Sequence, residues 1–187
     1  MKRLIIALAL LFVPVTSGLA QDNLVSPETG ISYDRLADLL AREQWRQAND
    51  QTFDLLLQVS GRNAQGWMDL ESFKTLACAD LQIMDRLWTE SSGGHFGFSV
   101  QLPIFLETGN KPGRLIDDGA FDLFGDQIGW RKDSDWVVFK ENLVFSLEAP
   151  EGHLPNPRQQ YEVGGNRLQF TTFAQRLVEC EIVKSAN

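Results

Sequence analysis

The sequence predicts a mainly α-helical protein that forms one compact domain with a small β-hairpin. Apolar residues recur every three or four positions in several segments, which places them on one face of a helix. Only residues 136–139 and 143–147 show the short extended runs of a hairpin, joined at residues 140–142. A chain of 187 residues without internal repeats has the right size for a single core.

The N-terminus has the three parts of a secretory signal. Lys2 and Arg3 form a basic start, the run Leu4–Val15 is apolar, and small residues lead up to Ala20. The run is shorter than the roughly 20 apolar residues that a membrane span needs. We therefore expect a signal peptide over residues 1–20 and an exported protein, located in the periplasm or secreted.

The mature chain is expected to be strongly acidic. Removal of the signal peptide lowers the count of basic residues from 17 to 15, against 25 acidic ones, which gives a net charge of −10. A surface of this charge repels phosphate backbones, so a nucleic-acid partner is excluded. No later segment is long and apolar enough to cross a bilayer, so we expect no membrane span after signal cleavage.

A leader and a domain follow the signal. Residues 21–32 are polar, contain Pro27 and Gly30, and are predicted to form a flexible leader. The folded domain is predicted to span residues 33–187.

The first half of the domain is predicted to contain four helical elements. Two amphipathic helices are predicted over residues 36–43 and 45–59, and Gly61 tolerates the positive φ that ends the second. A short third element begins at residues 66–70. Residues 80–88 then form a fourth helix with leucine, methionine and tryptophan on one face.

The second half of the domain contains a helix on each side of the hairpin. Ser99 is a plausible N-cap for a helix that runs to Glu107. Residues 120–124 suggest one short helical turn, and residues 149–155 form a turn rich in proline and glycine. Residues 168–178 supply the last helix.

Cys78 and Cys180 are the only cysteines. In an exported protein a pair favours a disulfide, here closing a loop of about 100 residues and contributing about 4 kcal/mol in the chain-entropy model. The alternative is two buried free thiols. The two cysteines lie far apart in the sequence, and the chain has only two histidines, His95 and His153. These residues do not have the spacing of zinc ligands, so no metal site is predicted.

No catalytic motif is complete in the sequence. The stretch Gly97-Phe98-Ser99 resembles a nucleophile elbow, but Gln101 stands where that motif needs its second glycine. The glycines near residue 94 lack dinucleotide-binding spacing. We therefore predict no catalytic residues, no intrinsic cofactor and no enzymatic activity.

The two histidines are predicted to have structural or solvent-exposed roles. The ring of His153, between Gly152 and Pro155, is expected to bond to the backbone and hold its turn. The alternatives are an axial haem ligand or a proton carrier. His95 follows two glycines and is expected to be exposed.

Several separated blocks resemble, in the same order, the genomes-uncoupled (four) tetrapyrrole-binding family, the porphyrin-binding accessory proteins of magnesium chelatase. The most informative block is Leu87-Trp88 followed by a glycine-rich turn and Phe96-Gly97-Phe98-Ser99-Val100-Gln101. The remaining blocks lie within residues 39–52, 80–85, 128–130 and 149–155. Phe96, Phe98 and Val100 are assigned to the core.

The resemblance implies a fold like a cupped helical hand whose apolar palm holds protoporphyrin or a metalloporphyrin. It places tetrapyrrole-binding side chains at Trp136, Phe139 and Leu143. A porphyrin is a flat apolar disc, so aromatic and aliphatic walls suit it. The alternative for each residue is a place in the core of the hairpin.

The rim of the palm departs from the family pattern. The family carries arginines that face the ligand's propionates at positions matching Tyr161 and Gly164, whereas here Arg158 and Arg167 lie close by. The resemblance therefore implies an exported, non-catalytic protein that binds a protoporphyrin- or haem-type ligand through these residues. The alternative is an exported interaction module that keeps the fold without binding porphyrin and receives a helix or peptide of an envelope protein.

Overall fold

The computed structural model describes residues 24–137, 140–157 and 166–182, and in these ranges it is mainly α-helical, as predicted. The predicted signal peptide, residues 1–20, lies outside the described residues. The elements in chain order are α1 (Asp34–Ala41), α2 (Trp45–Val59), α3 (Leu70–Lys74), α4 (Cys78–Ser91), α5 (Phe98–Glu107), α6 (Asp118–Gln127), β1 (Arg131–Lys132), β2 (Asp135–Trp136), a 3-10 turn (Lys140–Asn142) and α7 (Arg167–Glu179). Within the described part of the chain, no helix combines the length and apolarity that a membrane crossing requires.

Helix α5 lies at the centre of the packing, in contact with α4, α6 and α7, while α1 packs on α2 and α4. Its Phe98 ring meets Phe173 of α7 edge-on, with ring centroids 5.0 Å apart, and Phe105 meets Phe124 of α6 at 5.3 Å. Phe96 and Val100 are also buried, so the prediction that the phenylalanines of this block are core residues is confirmed. Aromatic pairs in this geometry contribute more to the stability of the fold than their buried area alone would give.

The end of α2 follows the predicted glycine signal. Gly61 adopts φ +68°, and the amide of Arg62 donates to the carbonyl of Leu57 at 2.7 Å. This is the hydrogen-bond pattern of a Schellman cap, which satisfies carbonyls that the helix itself leaves without partners. The chain then turns through residues 62–69 to α3.

Residues 24–32, the described part of the predicted leader, make specific hydrogen bonds to the domain. The buried carboxylate of Asp80 accepts hydrogen bonds at 2.6 Å from the hydroxyls of Ser26, Thr29 and Tyr33. Burial, followed by this hydrogen bond, raises the pKa of Tyr33. The partner lies about fifty residues away in α4, and local composition does not reveal it.

The start of α5 is held by a side chain from α4. Gly97 adopts φ +135°, and a Cβ there would lie 2.6 Å from Thr89 Cγ2 and 2.9 Å from Asp85 Oδ1. The Asp85 carboxylate accepts the Ser99 amide at 2.8 Å. The helix therefore begins at Phe98, and the prediction that Ser99 is its N-cap is wrong, because a carboxylate from another helix does the capping.

The turn at residues 149–155 is held as predicted by the ring of His153. Its Nδ1 lies 2.7 Å from the carbonyl oxygen of Ile128, and its Nε2 accepts the Val144 amide at 3.1 Å. The carbonyl of the same residue accepts Trp130 Nε1–H at 2.8 Å. These bonds fix the Nδ1-protonated neutral form of the ring.

The other histidine departs from its prediction. His95 is partly buried rather than exposed, and its Nε2 lies 2.8 Å from the carbonyl of Ala149. In the same region Gln101 donates from Nε2 to the carbonyls of Gly152 at 2.9 Å and Pro155 at 2.7 Å. Both side chains tie the glycine-aromatic block to the turn, which contains a cis peptide bond between Leu154 and Pro155.

The hairpin lies earlier in the chain than predicted. Strands β1 and β2 pair antiparallel, with Arg131 opposite Trp136. The predicted second run, residues 143–147, is not a strand; its Val144 amide is taken by the His153 ring instead of a neighbouring strand. The predicted connection at residues 140–142 is a 3-10 turn.

Helix α6 is longer than the single turn predicted at residues 120–124. Asp117 caps it by accepting the Ala120 amide at 2.8 Å, and the helix continues to Gln127. Two glycines in the segment, Gly119 and Gly125, lower its helix propensity. The sequence pattern therefore predicted only one helical turn.

The last helix is joined to the domain by the predicted disulfide between Cys78 and Cys180, which is confirmed. The bond connects the start of α4 to the end of α7, with Cα atoms 5.0 Å apart. Arg176 Nε–H donates to the carbonyl of Leu76 at 2.8 Å, and Gln82 donates to that of Cys180 at 3.1 Å. Covalent and hydrogen-bonded contacts therefore fix α7 along the α3–α4 junction.

Removing the disulfide should destabilise the domain. The double variant Cys78→Ala/Cys180→Ala is expected to lose up to about 4 kcal/mol of unfolding free energy, because its unfolded chain regains the freedom of a long closed loop. Urea denaturation with and without reductant measures this. Reductant should destabilise the wild type and leave the variant unchanged; a wild-type midpoint that is insensitive to reductant would contradict the prediction.

The Asp85 cap should make the stability of the domain depend on pH. Burial raises the pKa of this carboxyl in the folded state, so its contribution to stability is largest below the unfolded value of about 4 and is lost as pH rises through the folded value. Asp85→Asn keeps an acceptor oxygen but does not titrate. The stability of the variant relative to wild type should therefore rise as pH increases above about 4.

Urea titrations across this pH range test the expectation. The control is Asp38→Asn, which changes an exposed aspartate on α1 and should show no such trend. A stability difference between Asp85→Asn and wild type that stays constant with pH would count against the role assigned to burial.

Candidate ligand-binding site

Trp136, the principal ligand-contact residue predicted from the sequence, is half-buried at the end of β2. Its ring stacks on Phe121 of α6, with ring centroids 4.9 Å apart and planes inclined by 26°. Its Nε1–H donates to Asp122 Oδ1 at 3.2 Å. One face of the indole and its polar edge are therefore fixed by α6.

A glycine in α6 allows this approach. A Cβ at Gly125 would lie 2.5 Å from Trp136 Cη2 and 2.9 Å from Arg131 Cδ. Glycine inside a helix costs about 1 kcal/mol relative to alanine. The close contact of the indole with the helix backbone explains why a glycine is present here.

Arg131 is a member of the site that the sequence did not predict. Its side chain is only 10% exposed, with Nη1 2.9 Å from Asp126 Oδ2 and Nη2 3.2 Å from Asp122 Oδ2. Its guanidinium carbon also lies 5.8 Å from the centroid of the Trp136 ring. The residue links the hairpin to two successive turns of α6.

Arg167, predicted as a rim residue, is the first residue of α7 and forms an ion pair with Asp118 of α6. Asp118 precedes Asp122 by four residues, which is one helical turn and about 6 Å along the axis. The structure thus brings Arg167 and Trp136 together along the same helix. We call this surface the α6 wall; it consists of Asp118, Phe121, Asp122, Asp126, Arg131, Trp136 and Arg167.

Of the remaining predicted contact residues the structure describes only Leu143, which does not join the α6 wall. Leu143 is only 5% exposed and lies in the hydrophobic core, which is the alternative that the sequence left open. Phe139 and Arg158 lie outside the described residues, as do Tyr161 and Gly164.

An open pocket of about 580 Å³ adjoins the α6 wall and shares Asp122, Asp126 and Arg131 with it. This volume is in the range of small-molecule sites. Leu123, an exposed apolar residue of α6, also lines it. The pocket extends the surface on which a ligand would meet α6.

A helical scaffold that presents a fixed aromatic ring, paired cations and an adjoining pocket along one helix defines a binding domain. The chain belongs to the GUN4-like family, whose profile matches residues 26–170. The matched range contains every described residue of the α6 wall.

Relatives of known name support the same assignment. The chain is similar to the chloroplastic tetrapyrrole-binding protein of Arabidopsis thaliana, with 34% identity over 139 residues that cover 68% of this chain and 49% of that protein. It is also similar to the Ycf53-like protein of Synechocystis sp., with 30% identity over 128 residues that cover 67% of this chain and 51% of that protein. The chain therefore spans about half the length of these relatives.

Solved structures show the same fold. GUN4 from Chlamydomonas reinhardtii matches with a TM-score of 0.62 and 29% identity, over 80% of this chain and 92% of that one. The ligand-free structure of Arabidopsis thaliana GUN4 matches with a TM-score of 0.58 and 29% identity, over 80% and 90%.

Substituting Gly125 should displace the indole. Gly125→Ala is expected to lose about 1–3 kcal/mol of stability, because the overlap with Trp136 outweighs the gain in helix propensity. Near-ultraviolet circular dichroism and tryptophan emission should both change. Gly119→Ala, a matched control in the same helix whose Cβ would meet only the Asp117 carboxylate at 3.2 Å, should leave both signals unchanged; identical spectra for the two variants would contradict the account.

Proposed function

We propose that this chain is an exported, non-catalytic tetrapyrrole-binding protein, and that a porphyrin lies against the α6 wall. The observation that carries the proposal is the half-buried Trp136, held by the Phe121 stack and the Asp122 hydrogen bond. A ring fixed in this way is ready to stack on a flat macrocycle without further ordering, which lowers the entropic cost of binding.

The family context supports the ligand class. The Arabidopsis relative is named a tetrapyrrole-binding protein, and the described α6 wall falls within the segment that matches the family. The ligand is a protoporphyrin or metalloporphyrin that binds reversibly through apolar contact, and the protein contributes a surface rather than a reacting group.

The proposal of export rests on the signal-like N-terminus and on the disulfide. Residues 1–20 have the composition of a secretory signal, and Cys78 is bonded to Cys180. Disulfides persist in the periplasm and outside the cell but are rare in reducing compartments. The periplasm is therefore the proposed location, and a role in activating magnesium chelatase does not carry over to it.

An absorbance and fluorescence titration tests porphyrin binding. Protoporphyrin at micromolar concentration should red-shift its Soret band and quench tryptophan emission, and Trp136→Ala should raise the dissociation constant roughly three- to tenfold through loss of aromatic contact. The control is Trp67→Ala, since Trp67 is 51% exposed in the α2–α3 loop and packs on Arg62 rather than on α6. Absence of any spectral change would refute the proposal.

A second candidate is a protein-interaction module that uses the same surface. It is favoured by the pairing of Arg131 and Arg167 with aspartates of α6, which leaves both cations engaged before any ligand arrives. The partner would be an envelope protein that presents a helix or peptide. Co-purification of such a protein, lost in Trp136→Ala, together with no porphyrin response, would support this candidate over the first.

A further inference from the structure

Arg46 of α2 carries a positive charge that contacts an aromatic ring instead of a carboxylate. It is the second residue of the helix, and its guanidinium carbon lies 4.3 Å from the centroid of the Phe145 ring. Within residues 24–137, 140–157 and 166–182 its side chain forms no ion pair. The chain contains 25 acidic residues against 17 basic ones, so carboxylates are plentiful and an arginine without one stands out.

The ring contact orients the guanidinium and leaves its hydrogen-bond donors available. A guanidinium that lies over an aromatic ring uses its flat face, whereas its five N–H groups point outward in its plane. Phe145 is partly buried against the hydrophobic core, so the platform under Arg46 is itself held in place. The result is a positioned fork of donors, which matches the two oxygens of a carboxylate.

A second cation lies beside Arg46. Lys140, the first residue of the 3-10 turn, forms an ion pair with Asp50, which is one helical turn after Arg46 on α2. Burial, followed by repulsion from Arg46, lowers the pKa of Lys140, while Glu141 opposes this effect. The two cations are therefore close enough to repel each other, and Asp50 forms an ion pair with only one of them.

A bound anion would relieve two electrostatic costs at this place. It would reduce the repulsion between Arg46 and Lys140, and it would offset the positive charge that Arg46 adds to the start of a helix. The first turn of α2 contains no acidic residue that does so. The cluster of Arg46, Lys140 and Phe145, which we call the α2 cation site, thus has the charge and the donors of an anion-binding site.

The position of the α2 cation site in the chain indicates where the anion comes from. Lys140 follows Trp136 by four residues, and four residues span at most about 14 Å. The site therefore lies within reach of a macrocycle that contacts the α6 wall and carries flexible propionate side chains. Both guanidinium groups of the α6 wall are paired with aspartates, so a further cation at this edge has a use.

We propose that the α2 cation site binds one carboxylate of the tetrapyrrole. This inference rests on the proposed function, because the carboxylate belongs to the ligand of the α6 wall. Arg46 donates N–H groups to the carboxylate oxygens, and Lys140 contributes a second positive charge. Apolar contact recognises the macrocycle, and the α2 cation site adds a preference for the acidic ligand over its ester.

The test compares deuteroporphyrin IX, which has two carboxylates, with its dimethyl ester, which has none, in Soret absorbance titrations at about 0.01 M ionic strength. Arg46→Gln should weaken binding of the acid up to about fivefold, the scale of one exposed ion pair, and leave binding of the ester unchanged. Arg46→Lys should recover part of this affinity, because it keeps the charge but not the planar fork. At about 0.15 M ionic strength the loss in Arg46→Gln should shrink, since the screening length falls to about 8 Å.

Arg35→Gln is the matched control, because it removes the same charge from an exposed position of α1 and should have a much smaller effect on both affinities. Urea midpoints show that the variants fold. Equal affinities of Arg46→Gln and wild type for the acid would overturn the inference and leave the proposed function standing. An equal loss for acid and ester would do the same, because it marks a purely structural effect. Failure of the wild type to bind either porphyrin would overturn the inference together with the proposed function.

Discussion

The close approach of α4 and α5 at Gly97 is the constraint on which the rest of the structure depends. Only a residue without a side chain fits between Thr89 and the Asp85 carboxylate in this conformation. The amide of Gly97 also donates to the carbonyl of Leu154 at 3.0 Å, so the same position sets both the direction of α5 and the place of the later turn. Because α6 and α7 pack on α5, their orientation, and with it the α6 wall, follows from this junction.

The sequence predicted those parts of the fold that depend on local patterns. The helical spacing of apolar residues located α2, α4 and α7, and the glycine-aromatic block identified both the family and a set of core phenylalanines. Several of its misses involve a hydrogen-bond partner outside the local pattern, between 9 and 54 residues away. Ser26 and Thr29 are ordered by Asp80, Ser99 receives its cap from Asp85, and Val144 gives its amide to His153. Such pairings do not leave a periodic signal.

The candidate site depends on contacts of the same kind. Trp136 and Arg167 came from comparison with a family pattern, and in the structure Trp136 of β2 and Arg167 of α7 both contact side chains of α6, while their role in ligand binding stays a prediction. Arg131, Asp122 and Asp126 were missed, because on a sequence they look like ordinary charged surface residues. Gly125 was the available signal, because a glycine inside a helix often marks a place where another part of the chain closely approaches the backbone.

The ring of His153 has a consequence for coordination chemistry. Nδ1 is directed at one main-chain carbonyl and Nε2 is engaged by a main-chain amide, so neither lone pair nor exchangeable proton is left for an iron atom. A haem stacked on Trp136 would receive no axial bond from this residue. His153 therefore contributes nothing to a preference among iron, magnesium and a metal-free macrocycle.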